Sequence, residues 1–391
     1  MLTSHFLYRV GGALTWNDPT YIERSADTEL AQALRAGTFA YVLAPRQMGK
    51  SSLRIRTRYQ LTQQGYQCVT IQATQLMDHH MYASHYTPDA ADSHCQNRWC
   101  AALISIIWSE LNIGETSSLL AWLASTSQMD ASERLNKFTQ EALATAVGSS
   151  PTVIFIDEID ALIGTACQDD LFDWIERCYQ LRQIDTAYEN LQFAVLGRAV
   201  ASDLCLNSQL LKTAQAVELR PFSLIETYYL HQGFENTFNT PNTVLKAIYK
   251  WAGGQPFLTQ KLCSIVTELI GSLVQPSDQP IVLSTRTVDS WVEGLVRSHI
   301  IKNWQTQDHP VHFKDIFNHL SCSPYHESLL SLYQTIHSGG CVYRCQDRLQ
   351  AELLLTGIVV ENNNCLQVAN KIYQQIFTHS TCYLAEMQRA C

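Results

Sequence analysis

The sequence predicts an α/β fold: a parallel sheet with helices on both faces, then a helical segment, then a small mixed module. Three observations predict it. Residues 39–53, FAYVLAPRQMGKSSL, pass from an apolar, β-branched and aromatic run through Ala44-Pro45 to Gly49-Lys50-Ser51-Ser52 and into a helical pattern. Residues 152–160, TVIFIDEID, form a continuous apolar run that ends in carboxylates, the pattern of a strand buried on both faces. From Ser223 onward the apolar spacing is helical, and residues 357–368 then read as a hairpin with its turn at 362–364.

Taken in order, residues 27–35 have helical spacing with Leu30, Ala33 and Leu34 on one side and Gly37 as a C-cap. The strand at 39–43 follows, then a helix to about residue 64 that Gly65 ends. Residues 66–73 alternate as a second strand. Residues 74–98 are polar and irregular, with His79, His80, His85, His94 and Cys95. Their spacing matches no zinc-ligand set, so this stretch reads as a loop. Helices are expected at 99–111, 119–124 and 135–147, then the strand at 152–156. An amphipathic helix at 171–183, a strand at 191–196 and a last strand at 216–222, broken by Pro221, complete the sheet region. Helices at 243–251 and 258–273 flank Gly253-Gly254-Gln255-Pro256, a rigid turn with Pro near the first helical position. Residues 274–285, with Pro276, Ser277, Asp278 and Pro280, read as a connector. Helices at 327–336 and 346–355 precede the hairpin, a pattern that suggests a winged helix. The domains expected are 1–37, 38–222, 223–300 and 301–391.

The first stretch matches the phosphate-loop pattern G-x-x-x-x-G-K-[ST] except that Ala44 stands for the leading Gly. Backbone N–H groups of Arg46, Gln47, Met48 and Gly49, with the helix start through Ser52, would cradle phosphates. Lys50 would neutralise the β/γ-phosphates and the Ser51 hydroxyl would complete a Mg²⁺ shell. Asp157, at a strand end where open sheets bind ligands, would hold the same ion, and Glu158 would polarise an attacking water. Asp160 suits a helix cap better. Arg198, just past a strand end, could reach a γ-phosphate. Tyr21 and Arg24 could touch the base, or Arg24 could pair with Asp27 or Glu29. Pro256 could pack on the adenine. Arg54, Arg56 and Arg58 read as a solvated helix face or as support near the phosphates.

Composition narrows the classes. A chain of 391 residues, 46% hydrophobic and 16% charged, is long enough for two or three domains with a sizeable core. A net charge of −9 gives no overall electrostatic footprint for nucleic acid. Thirteen scattered cysteines, an odd number, and no secretory signal argue for reduced thiols and a cytoplasmic location. No run approaches the ~18 apolar residues of a membrane span.

The ordered set Tyr21-x-x-Arg24, RQMGKSSL, VIFIDEID, Leu196-Gly197-x-Ala199, WAGGQPFLTQKLC and GIVV…NKIYQQIF resembles the AAA-like ATPase modules of cyanobacteria, which look like a branch of the STAND group of P-loop NTPases. The resemblance implies a P-loop core, a helical lid and a winged-helix domain. It implies ATP and Mg²⁺ as cofactors, ATP/ADP as ligands, and ATP binding that controls an oligomeric or open/closed switch, with a homo-oligomer and an effector or regulatory protein as partners. It carries Lys50, Ser51, Asp157 and Glu158 over as phosphate, metal and water-orienting residues, and Tyr21, Arg24 and Pro256 as the frame of the base. Three features depart from the family's pattern: Ala44, Gln72 where an acidic residue is expected, and the His-rich loop. The leading expectation is an ATP-dependent switch with slow hydrolysis. DNA binding through the winged helix and a non-hydrolysing scaffold are the alternatives.

Overall fold

A computed structural model describes residues 7–77, 98–148, 150–185, 188–204, 209–235, 237–271, 281 and 284–377. The chain divides into two compact units: residues 25–44 with 50–218, and residues 1–24 and 45–49 with 219–391. The His-rich stretch 79–94 and the Pro-containing connector at 276–280 lie outside the described residues.

The first unit is built on five parallel strands: β1 (Ala40–Leu43), β2 (Gln67–Gln72), β3 (Thr152–Asp157), β4 (Leu191–Gly197) and β5 (Gln215–Ala216). Their order is β2-β3-β4-β1-β5, so β4 lies between the strand that feeds the Gly-Lys-Ser loop and the strand that ends in Asp157. Every residue of β3 and β4 is buried, because helices flank the sheet and a parallel sheet covered on both faces selects unbroken apolar strands. Register aligns the carboxyl ends, with Leu43 opposite Gly197 and Gln72 opposite Asp157. The flanking helices are α1 (Ser25–Arg35), α2 (Lys50–Gln63), α3 (Ala73–Met77), α4 (Arg98–Glu110), α5 (Thr116–Ser125), α6 (Ala131–Phe138), α7 (Ala144–Val147) and α8 (Ala166–Leu181). A π turn at Thr139–Leu143 joins α6 to α7 where one continuous helix is expected. Its Thr139 hydroxyl accepts a 2.9 Å hydrogen bond from the buried Trp174 indole.

The last strand is shorter than expected. Only Gln215 and Ala216 pair with β1, and the Val217 N–H adds one further bond to the Tyr41 carbonyl at 2.9 Å. Beyond it the alternation of buried Val217 and Leu219 with exposed Glu218 and Arg220 persists. Val42 and Leu43 of β1 pair only with β4, however, and Pro221 has no N–H to give.

The second unit is mainly helical: among others it contains Pro241–Ala252, Pro256–Gly271, Thr285–Val296, Phe313–Cys322, His326–His337, Arg348–Thr356 and Lys371–Ile376. A small antiparallel sheet lies near its end, formed by β6 (Val342–Tyr343), β7 (Val359–Asn362) and β8 (Cys365–Val368) in the order β6-β8-β7. Asn363 and Asn364 turn β7 into β8 with φ of 49° and 64°, the left-handed pair of a type I′ hairpin turn. One apolar core runs through the unit and includes Trp251, Phe257, Phe313, Phe317, Tyr333 and Phe377. Within it His312 is fully enclosed. Its Nε2 lies 2.7 Å from the Tyr373 hydroxyl and its ring centroid 4.7 Å from that of Phe257. Burial, with Lys261 nearby, pushes the imidazole down to about 3.

Candidate functional site

In the first unit, β1 hands the chain to a tight loop and α2 starts at Lys50. Ala44 is buried and its N–H donates to the Gly197 carbonyl at 3.1 Å. Its own carbonyl accepts a 2.7 Å bond from the Lys50 ammonium. The left-handed positions of the loop are Gln47 (φ 59°) and Gly49 (φ 92°), not residue 44. An alanine at 44 therefore carries no backbone strain. Ser51 is half-buried and Ser52 buried in the first turn of α2.

One turn beyond Lys50, Arg54 is buried and turned toward β3, so of its two expected roles, a solvated face or support near the phosphates, the first does not hold. Its Nε lies 3.0 Å from the Asp157 Oδ2, and its Nη1 donates to the Thr70 hydroxyl at 3.1 Å. Arg58, the next residue on that face, also donates to Thr70 (3.0 Å) and pairs with Glu110 (3.2 Å). The other Asp157 oxygen accepts the Glu158 N–H at 3.0 Å. A carboxylate only 3% exposed is thus held by a cation and an N–H, which offsets its desolvation.

Glu158 stands in left-handed backbone (φ 59°, ψ 38°), uncommon for a residue with a side chain and typical of strained functional positions. Its Oε2 accepts a 2.7 Å bond from the hydroxyl of Thr74 on α3, a partner that sequence spacing did not suggest. Asp160 accepts the N–H of Arg198 at 2.8 Å, a structural role that ties the β4 end to the turn after Glu158. Gly197 makes that approach possible: a Cβ there would lie 2.6 Å from Ile159 and 2.8 Å from the Asp160 carboxylate. The Arg198 residue is half-buried. This unit therefore brings together the α2 start, the carboxylates at the β3 end and the backbone of Arg198.

The second unit holds the loop residues 45–49 and the residues expected to frame a base. Arg24 is buried, and its guanidinium donates to the carbonyls of Met48 and Arg220 at 3.0 Å each while lying 5.2 Å from the Phe222 ring centroid. Tyr21 is half-buried, its N–H bonded to the Asp18 carbonyl at 3.0 Å. Met48 is buried. The Gln47 side chain donates to the Val311 carbonyl at 3.0 Å, and the Gln47 carbonyl accepts from Gln255 at 3.3 Å. The exposed Arg46 pairs with Asp315 at 2.7 Å. Pro256 is buried at the first position of its helix, where the Gln255 side-chain oxygen caps the Leu258 N–H at 2.6 Å. Gly254 (φ 74°) is obligatory, since a Cβ would lie 1.9 Å from the Phe222 carbonyl oxygen.

Among the described residues no cluster of three or more His, Cys, Asp or Glu side chains is arranged to hold a metal. The donor set here, one hydroxyl and one carboxylate, instead suits an ion that completes its shell with phosphates and water, as Mg²⁺ does. Ser51 and Asp157 are the residues that would hold it.

The sequence model of the AAA-like domain matches residues 10–275. The chain belongs to the AAA-like domain family. Two solved structures are similar along almost their whole length. The Walker-type ATPase PABY2304 of Pyrococcus abyssi is 15% identical, with 95% of this chain and 99% of that one covered and a TM-score of 0.50. The ORC2 protein of Aeropyrum pernix, in its ADPNP–ADP complexes, is 13% identical, with 97% of each chain covered and a TM-score of 0.52. The AAA-like chain thus has the P-loop ATPase fold, a parallel sheet flanked by helices. A protein of Synechocystis sp. (strain ATCC 27184 / PCC 6803 / Kazusa), described as the uncharacterized WD repeat-containing protein slr0143, is 36% identical over 374 residues. That match covers 95% of this chain and 30% of the Synechocystis protein, so the chain spans about a third of its relative. No helix among the described residues is long and apolar enough to cross a membrane.

Proposed function

We propose that the protein is an ATP-binding, slowly hydrolysing switch whose nucleotide state is passed to a partner protein. The observation that carries this reading is that loop residues expected to cradle phosphate are bonded to the C-terminal segment, Arg46 to Asp315 and Gln47 to Val311. Any rearrangement of the loop around phosphates must strain or release those bonds. In this reading residues 223–300 act as a lid, residues 301–391 form a winged-helix-like module that reports loop state, and residues 1–37 lead toward the base. The Synechocystis relative, in which this region accounts for 30% of a WD repeat-containing protein, supports a protein partner rather than DNA.

The chain's own residues divide the work. The N–H groups of 46–49 and the start of α2 hold the phosphates. The Lys50 ammonium exchanges the Ala44 carbonyl for β/γ-phosphate oxygens. Ser51 and Asp157 would hold Mg²⁺, which would supply charge neutralisation on the phosphates. Glu158 turns from Thr74 to orient water, and Arg198 faces the γ-phosphate. Arg24 braces the loop through Met48, and Tyr21 and Pro256 border the base.

The decisive experiment is calorimetric titration of wild type, Lys50→Ala and Glu158→Gln with Mg-ATP, coupled to measurement of phosphate release. Lys50→Ala should lose binding, while Glu158→Gln should retain ATP and lose turnover. Equal affinity in Lys50→Ala and wild type would refute the assignment. Size measured with and without ATP tests the associated oligomerisation.

A further inference from the structure

Four cysteines, Cys68, Cys100, Cys178 and Cys263, are buried, and burial raises their thiols, Cys100 and Cys178 to about 12. Such thiols are inert packing groups. The small sheet of the second unit presents a different case. Tyr343 on β6 stands opposite Cys365 on β8, and Cys341 lies two residues before Tyr343, on the same face by the period of a strand. Cys341 is exposed and Cys365 half-buried, with their Sγ atoms 3.1 Å apart in a thiol–thiol contact. A disulfide bond is about 2.05 Å long, so the sulfurs need to approach by only about 1 Å.

We propose that Cys341 and Cys365 form a dithiol site for exchange with small-molecule disulfides such as glutathione disulfide, closing to an intrachain bridge across β6 and β8. The thiolate of one cysteine attacks a sulfur of the small disulfide, forming a mixed disulfide and expelling one glutathione thiolate. The second cysteine then gives up its proton and attacks the protein-bound sulfur, and the second glutathione leaves. Two protein thiols are oxidised to one disulfide and one glutathione disulfide is reduced to two glutathione molecules. The bridge encloses Arg348–Thr356 and β7, so it ties the edge strand to the hairpin whose turn is Asn363-Asn364. An exposed bridge of this kind is readily opened by reducing thiols, which makes the site reversible.

The test uses the full-length native protein equilibrated in glutathione disulfide-rich buffer, then quenched, alkylated and mapped by mass spectrometry. The expected product is two hydrogens lighter, carries one peptide pair joined through Cys341 and Cys365, and reverts with dithiothreitol. Cys345→Ser should retain the bridge, and Cys341→Ser should lose it and stop at a mixed disulfide on Cys365. Recovery of both cysteines as alkylated thiols or separate glutathione adducts would overturn the proposal. So would a bridge from either one to Cys345 or Cys322.

Discussion

Replacing Arg54 by Met tests the central electrostatic contact of the sheet unit. The substitution keeps the aliphatic stem packed along α2 but removes the cation 3.0 Å from Asp157 and the donor 3.1 Å from Thr70. Breaking a buried ion pair from one side costs about 3–5 kcal/mol, because the remaining charge is left desolvated. Asp157 keeps one partner, the Glu158 N–H, so the lower end, about 3 kcal/mol, is expected. For a unit of this size that corresponds to a fall in melting temperature of about 6–12 °C. Urea unfolding followed by circular dichroism provides the assay, with the slope of the transition checked for constancy. Asp157→Asn in the same background should recover about 2 kcal/mol, since the orphaned charge is then gone. If Arg54→Met unfolds within about 1 kcal/mol of wild type, or the two substitutions simply add, the pair is not the buried, coupled contact described here.

Three further outcomes are expected. His312, held neutral by its surroundings, makes the second unit acid-sensitive: its stability is complete above the ordinary imidazole pKa of 6.5 and is lost as pH falls toward about 3. In that window the unfolded chain takes up a proton that the folded chain refuses, at about 1.4 kcal/mol per pH unit. Urea midpoints between pH 7 and 4 should therefore fall more steeply for wild type than for His312→Gln. Gly254→Ala adds a Cβ 1.9 Å from the Phe222 oxygen at positive φ and should cost about 3 kcal/mol or more, so an unchanged melting curve would contradict the turn geometry. Thr74→Val removes the hydroxyl that holds Glu158 and should raise phosphate release by about tenfold, equivalent to about 1.4 kcal/mol, with ATP affinity unchanged. A lower rate would mean that Thr74 holds Glu158 in its working position.

The parts legible in the sequence are those that one-dimensional patterns encode. β3 and β4 are buried at every position, so their apolar runs were unambiguous, and Asp157 could be placed at a strand end. The hairpin turn and the Gly-Gly-Gln-Pro break follow from backbone preferences carried by single residues. The rest depends on contacts across the chain. Arg54 looks like any other basic residue on a polar helix until β3 lies beside it, 103 residues away in sequence. Thr74 meets Glu158 across 84 residues, and no spacing rule connects a threonine after one strand to a glutamate after another. β6 is two residues long and partly exposed, too short for alternation to register. The strand expected at 216–222 shows the converse: beyond Val217 the alternation of burial continues without ladder pairing.

The geometry of Gln47 has a mechanical consequence. An L-residue in the left-handed basin lies about 1–2 kcal/mol above its right-handed alternative. The two hydrogen bonds that meet at Gln47, from its side chain to Val311 and from Gln255 to its carbonyl, are each worth about 0.5–1.5 kcal/mol net. Bond strength and backbone strain are therefore closely matched. When Val311 or Gln255 withdraws, the balance at residue 47 tips and the peptide plane before Met48 can rotate, reversing where that N–H points. Under the proposed switch, a displacement of the C-terminal segment would in this way be translated into the polarity of the loop itself.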